Sequence, residues 1–127
     1  MIYSDFLRQL LLGATAAIFL LFVIWAAVNR ASLAKVLGYQ LTAPNGESEF
    51  AAIYIGLFLA QTLLCIFAIT RIQDSAMGDL AAAFLLLQPG GRILPLIRHG
   101  TPTGLLRVLF ILEILGGVAL LLVRPNA

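Results

Sequence analysis

Four long hydrophobic runs, separated by short polar segments, organise the sequence. They cover about residues 6–28, 50–70, 80–97 and 105–123. A helix needs about 20 apolar residues to cross the hydrocarbon core of a bilayer, and these runs are close to that length. Unpaired backbone groups are very costly in hydrocarbon, and four strands cannot close a barrel. The pattern therefore predicts four membrane-spanning helices.

The segments between the runs predict how the helices are arranged. Segments 71–79 and 98–104 are short, so the helices they join are expected to be antiparallel neighbours. The longer segment 29–49 contains an amphipathic stretch at 31–37, which predicts a short interfacial helix after the first span. The predicted fold class is all-α: an integral membrane four-helix bundle with antiparallel up-down topology, forming a single domain over residues 1–127.

Glycine, proline and other small residues add local detail to this bundle. Pro89, Gly90 and Gly91 interrupt the third run and predict a kink or break in its helix. Small residues recur every four positions in the second run, and a glycine pair occurs in the fourth. Small residues at this spacing allow helix backbones to approach closely. Packing inside the bundle is favoured over dimerisation for both sets, which are Ser48, Ala52, Gly56 and Ala60, and Gly116 and Gly117.

Composition and charge support a membrane location. Hydrophobic residues make up 61% of the chain and charged residues 11%, with a mean hydropathy of +1.03. A soluble domain carries about 25% charged residues. The net charge of +2 and the lack of a basic, aromatic-rich cluster argue against nucleic acid as a partner. The uncharged stretch Gln9–Val28 is too long for a signal peptide, so a retained helix is expected.

Polar residues that fall within or beside the spans form the candidate site. Antiparallel topology places the first and third loops at one membrane face, where carboxylates and basic residues gather. Glu113 lies about two turns inside its span, where an isolated charge is costly, and Arg92 on the neighbouring helix is the expected partner. Their depths differ by about one turn, or about 5 Å. The candidate polar cluster comprises Glu49, Tyr54, Gln88, Arg92, His99, Arg107 and Glu113.

Two interpretations of this cluster remain open. In the functional one, it binds an anionic head group, a quinone or a small substrate. In the structural one, which is favoured, paired charges hold the bundle together. Asp74 and Asp79 are interpreted as solvated loop residues, with capping of the third helix as an alternative role for Asp79.

The sequence offers no catalytic, metal-binding or cofactor-binding constellation. His99 and Cys65, each the only residue of its type, lie in different segments and cannot assemble a zinc or iron–sulfur site. No phosphate-binding glycine loop or nucleophile elbow occurs. The protein is therefore expected not to be an enzyme and to hold no cofactor.

Two motifs carry a family resemblance. Residues 48–57, SEFAAIYIGL, and residues 91–102, GRILPLIRHGTP, resemble signatures of a bacterial family of small four-helix membrane proteins of unknown function, with a DoxX-like architecture. The chain departs from the family pattern at Ala51, Ile55, Pro95 and His99. The resemblance implies a multi-pass protein of the bacterial cytoplasmic (inner) membrane and implies no activity. The matching positions are Ser48, Glu49, Tyr54, Gly56, Gly91, Arg92, Gly100, Pro102 and Glu113.

These observations lead to two hypotheses of function. The first is a non-catalytic accessory or structural subunit that packs against a larger membrane complex, possibly an energy-transducing one. The alternative is a small protein that binds or transports a lipid, a quinone or an organic anion through the polar pocket at one end of the bundle. Membrane lipids and other membrane subunits are the expected partners.

Overall fold

Four helical rods long and apolar enough to cross a membrane make up most of the protein. The structure is a computed structural model that describes residues 1–126. The rods are Asp5–Val28, Pro44–Thr70, Ser75–His99 and Gly104–Leu122, which confirms the predicted all-α membrane bundle. The elements are β1 (Ile2–Tyr3), α1 (Asp5–Val28), α2 (Arg30–Leu37), α3 (Pro44–Ala51), a π-helix (Ala52–Leu57), α4 (Phe58–Thr70), α5 (Ser75–Gly91), α6 (Ile93–His99), α7 (Gly104–Leu122) and β2 (Val123–Arg124).

The rods alternate in direction, which gives the bundle two distinct ends. At the termini end, β1 pairs in parallel with β2, so residues 2–3 and 123–124 lie side by side. At the loop end, α2 packs against α1 and α7. Leu33, Ala34 and Leu37 form its buried face. The main helix contacts in the bundle are between α1 and α4 and between α5 and α7.

The first helix shows how local sequence signals and packing combine. The Ser4 side chain caps α1 by accepting a hydrogen bond from the Leu7 backbone N–H. Leu12, Phe19 and Ala26 recur at helical spacing and are buried. This stripe faces the other spans, while Leu20, Leu21 and Ile24 on the opposite side of the helix are exposed at the bundle surface.

Two spans begin earlier than hydropathy predicts. The second rod begins at Pro44 rather than near residue 50, because proline suits the first position of a helix and the polar turn continues into the apolar run. The third begins at Ser75 rather than near residue 80, with Asp74 as its cap. The capping role considered for Asp79 is therefore wrong, because that residue lies in the second turn of α5.

The break in the third rod lies at Arg92, three residues after Pro89. Pro89 remains inside α5, and the Arg92 backbone N–H bonds to the Pro89 carbonyl oxygen before α6 begins at Ile93. The second rod also departs from regular geometry at the π-helix, where the Phe58 N–H reaches back to the Ile53 carbonyl oxygen. Both irregularities occur in the halves of their rods nearer the loop end.

The two sets of small residues behave differently. Gly117 allows close packing of α7 on α5, since a Cβ there would lie 2.6 Å from Leu86 Cγ and 3.3 Å from the Ala82 carbonyl oxygen. The stripe in the second rod instead faces outward, and a Cβ added at Gly56 would meet nothing within 4 Å. Internal packing was thus the wrong expectation for this stripe, whose members Ser48, Ala52, Gly56 and Ala60 are all exposed.

Candidate functional site

The predicted pairing of Arg92 with Glu113 is present and crosses from the third rod to the fourth. Arg92 Nη1 donates to Glu113 Oε1 at 2.5 Å. The Glu113 side chain is 1% exposed and the Arg92 side chain 20%. Arg92 occupies the break between α5 and α6, and Glu113 lies at the middle of α7. A carboxylate at this depth in a membrane protein requires such a partner.

A pocket of about 270 Å³ lies beside Arg92, between the second and third rods. We call it the lateral pocket. Its polar residues are Arg92, Gln88, Tyr39 and Tyr54. Ile53, Leu57 and Phe84 are exposed large hydrophobic residues in its walls, so it opens sideways at the bundle surface. The other residues that define it are Tyr39, Tyr54, Phe58, Gln88 and Arg92.

An aromatic cluster fixes the tyrosine side of the lateral pocket. Tyr54, in the π-helix, is 3% exposed and packs against Phe50 at 4.5 Å and Phe58 at 4.9 Å between ring centroids. Its hydroxyl lies 3.5 Å from that of Tyr39. Aromatic pairs at these separations stabilise one another beyond their buried area. The hydroxyls are thereby held at the edge of a rigid apolar wall.

Arg92 has more N–H donors than its ion pair with Glu113 uses. A guanidinium carries five N–H groups in a fixed plane. Within residues 1–126, the side-chain hydrogen bond of Arg92 is the one to Glu113. The remaining N–H groups sit in a lining that also contains Gln88, whose amide makes no side-chain hydrogen bond in this part of the chain. The pocket is therefore rich in donors and suited to oxygen acceptors.

Three members of the predicted cluster lie apart from this pair. Glu49, His99 and Arg107 are exposed, and none makes a side-chain hydrogen bond or ion pair within residues 1–126. The acidic residue that does find a partner near the start of the second rod is Glu47, whose Oε2 accepts from Arg30 Nε at 2.8 Å. The structure therefore brings together Tyr54, Gln88, Arg92 and Glu113 from the predicted set.

A second, smaller cavity adjoins Glu113 and shares no lining residue with the lateral pocket. Its volume is about 30 Å³, and Thr15 and Glu113 are the polar members of its lining. Glu113 Oε2 is buried without a protein hydrogen-bond partner among the described residues. A cavity of this size can hold one water, and a water there would find acceptors in the carboxylate and the threonine.

Comparison with known proteins defines the family. The profile of one protein family matches residues 7–124, and that family is described as a domain of unknown function, DUF4345. The chain belongs to the DUF4345 family. No curated protein matches it, and no solved structure does. For this DUF4345 protein, function is therefore inferred from the geometry of its polar residues.

The DUF4345 chain has a second polar centre, at the termini end, which the sequence prediction missed. The Arg8 side chain is 1% exposed. Its Nη1 donates to the carbonyl oxygens of Leu120 and Val123, both at 2.6 Å. Its Nη2 donates to the Ser75 carbonyl oxygen and to Asp79 Oδ1, both at 3.1 Å. Arg8 thus joins the first, third and fourth rods.

Asp79 is shared between two arginines, so its interpretation as a solvated loop residue was wrong. Arg124 donates to both carboxylate oxygens of Asp79, and its Nη2 lies 3.1 Å from Oδ2. The hydrogen bond from Arg124 to Asp79 raises the pKa of Arg124 above its usual value. Both terminal nitrogens, Nη1 and Nη2, of each arginine donate to protein acceptors, which indicates a structural role.

Proposed function

We propose that this multi-pass protein resides in a bacterial cytoplasmic membrane and binds, without catalysis, the polar head of an amphiphile dissolved in the bilayer. The observation that carries the proposal is the placement of Arg92. Its guanidinium lines a pocket of about 270 Å³ while one N–H engages Glu113. Small-molecule sites are mostly apolar cavities with a few polar groups that orient the ligand, and the lateral pocket has this composition.

The position of the pocket supports a ligand that arrives from the membrane. The exposed side chains of Ile53, Leu57 and Phe84 form its outer walls. In a bilayer these side chains face acyl chains, so an apolar tail could remain in the lipid while the head enters. The candidate heads, taken from the hypotheses above, are those of a lipid, a quinone or an organic anion.

The test of this proposal compares Arg92→Lys with Arg107→Lys. Lysine keeps the positive charge that Glu113 requires but loses the planar set of N–H donors. We expect Arg92→Lys to lower the affinity for 1-monooleoylglycerol about tenfold, the equivalent of about 1.4 kcal/mol. The fraction of protein carrying one bound ligand would be measured by native mass spectrometry over a ligand titration.

Arg107→Lys is the matched control, because Arg107 is exposed and makes no side-chain ion pair in residues 1–126. Its affinity for 1-monooleoylglycerol should equal that of the wild type. Equal affinities in all three proteins, or an equal loss in both variants, would contradict binding in the lateral pocket.

The second candidate is the accessory-subunit role, favoured by the outward stripe of small residues on the second rod. Gly56 has open space where a Cβ would be, and Ala52 and Ala60 are exposed on the same helix. A transmembrane helix of another subunit could approach closely there. Co-purification with a larger complex in mild detergent, lost in Gly56→Leu, would support this role. A lone, stable monomer would oppose it.

A further inference from the structure

We propose that the Arg92–Glu113 pair makes the lateral pocket select uncharged heads, with Glu113 as the residue that disfavours anions. This inference rests on the proposed function and specifies its ligand class. The occupant it names is a neutral amphiphile whose head carries hydroxyl or ester oxygens, such as a glycerol ester of a fatty acid. Glu113 acts here on specificity, through Arg92.

The charges at the lateral pocket are balanced. Arg92 is the charged residue of the described lining, and the carboxylate of Glu113 already neutralises it at 2.5 Å. Arg98 and Arg107 are exposed and lie outside the lining. The site therefore presents an ion pair with no net charge to any head that enters it.

An anionic head would be poorly compensated in this setting. Moving an ionised carboxylate from water into an apolar site is far more costly than moving a neutral hydroxyl or ester. A lone arginine would offset this cost with a bidentate ion pair. Here the buried Glu113 carboxylate lies directly behind Arg92 and repels a second negative charge through a medium of low dielectric constant.

A neutral head, by contrast, can use every remaining donor. The N–H groups that Arg92 does not direct at Glu113, the Gln88 amide and the Tyr39 hydroxyl can donate to hydroxyl or carbonyl oxygens. These bonds require no counter-charge. Phe58 and Phe84 supply apolar walls for the first carbons of the chain. Because the Glu113 carboxylate repels a second anion, these donors favour an uncharged oxygen acceptor over an anionic one.

The experiment measures 1-monooleoylglycerol and oleate separately at pH 8 with wild-type protein in detergent, by native mass spectrometry. We expect the wild type to bind the neutral lipid about tenfold more tightly than oleate. Glu113→Gln, which is nearly isosteric and uncharged, should raise oleate affinity about tenfold and so abolish the preference for the neutral lipid. Glu49→Gln, at an exposed carboxylate, should change neither.

A second variant keeps the test decisive if Glu113→Gln does not fold. Gln88→Lys adds an uncompensated cation to the pocket lining and leaves the buried ion pair in place. It should also raise oleate affinity. A wild type that prefers oleate, or variants that leave the preference unchanged, would overturn the charge selectivity alone. A wild type that binds neither probe would overturn the proposed function itself.

Discussion

Replacement of Arg8 by methionine is expected to lower the free energy of unfolding by about 3–5 kcal/mol. Methionine matches much of the side-chain volume but offers no donor. The Leu120 and Val123 carbonyl oxygens would lose their bonds to Nη1, and Asp79 would lose one of its two arginines. Removing one member of a buried polar network leaves its partners without compensation for their desolvation.

The measurement is an unfolding titration in mixed detergent–dodecyl sulfate micelles, followed by circular dichroism. Arg71→Met is the matched control, since Arg71 lies at the same end of the bundle but is exposed and makes no ion pair among residues 1–126. It should shift the midpoint little. Similar midpoints for Arg8→Met and Arg71→Met would show that the Arg8 network contributes nothing to stability.

Breaking the Arg92–Glu113 pair from either side is expected to cost about 3–5 kcal/mol, whereas removing both charges together should cost much less than the sum. Glu113→Leu leaves the guanidinium without its counter-charge, and Arg92→Met leaves a carboxylate buried to 99% in the centre of α7. In the double variant, both positions are apolar and no unpaired charge remains.

A double-mutant cycle on the same unfolding titration measures this coupling. Wild type, the two single variants and the double variant give the interaction energy directly. The pair Glu49→Leu and Arg107→Met, at exposed positions without ion pairs in the described chain, should show additive and small effects. Additive losses at Arg92 and Glu113 would mean that the two charges do not stabilise each other.

Hydropathy and helical periodicity were sufficient to predict the four spans, because crossing a bilayer sets the length and composition of each helix. The first and fourth helices begin and end within one residue of their predicted limits, at Asp5–Val28 and Gly104–Leu122. The second and third rods extend further because their first turns are polar. Hydropathy cannot detect polar helical turns, although Pro44 and Asp74 are recognisable start signals.

The two polar centres differ in how far the sequence could predict them. Arg92 and Glu113 lie inside apolar runs on helices joined by a short connection, so their similar depths made the pairing predictable. Arg8 lies at the first turn of a span, where an arginine ordinarily reaches the interface. Its burial depends on the carbonyl groups of Leu120 and Val123, more than 110 residues away in the chain. Local pattern carries no information on that contact.

Glu49 and the outward stripe show a further limit of sequence patterns. Glu49 and Glu47 are two positions apart, and helix geometry directs only Glu47 toward Arg30. The direction in which each side chain points depends on where the rod begins and on how the π-helix rotates the following turns. Ser48, which precedes the π-helix, and Gly56, which lies within it, are both on the outer surface.

We expect the polar head of a membrane-dissolved ligand to enter the lateral pocket and meet Arg92. Photolabelling tests it most directly, with a monoacylglycerol that carries a diazirine on the first carbons of its acyl chain, followed by peptide mass spectrometry. Adducts are predicted on Tyr39, Phe84 and Gln88, and an excess of 1-monooleoylglycerol should abolish them. Labelling spread over outer-face residues such as Leu21 and Leu115, insensitive to the competitor, would contradict the claim.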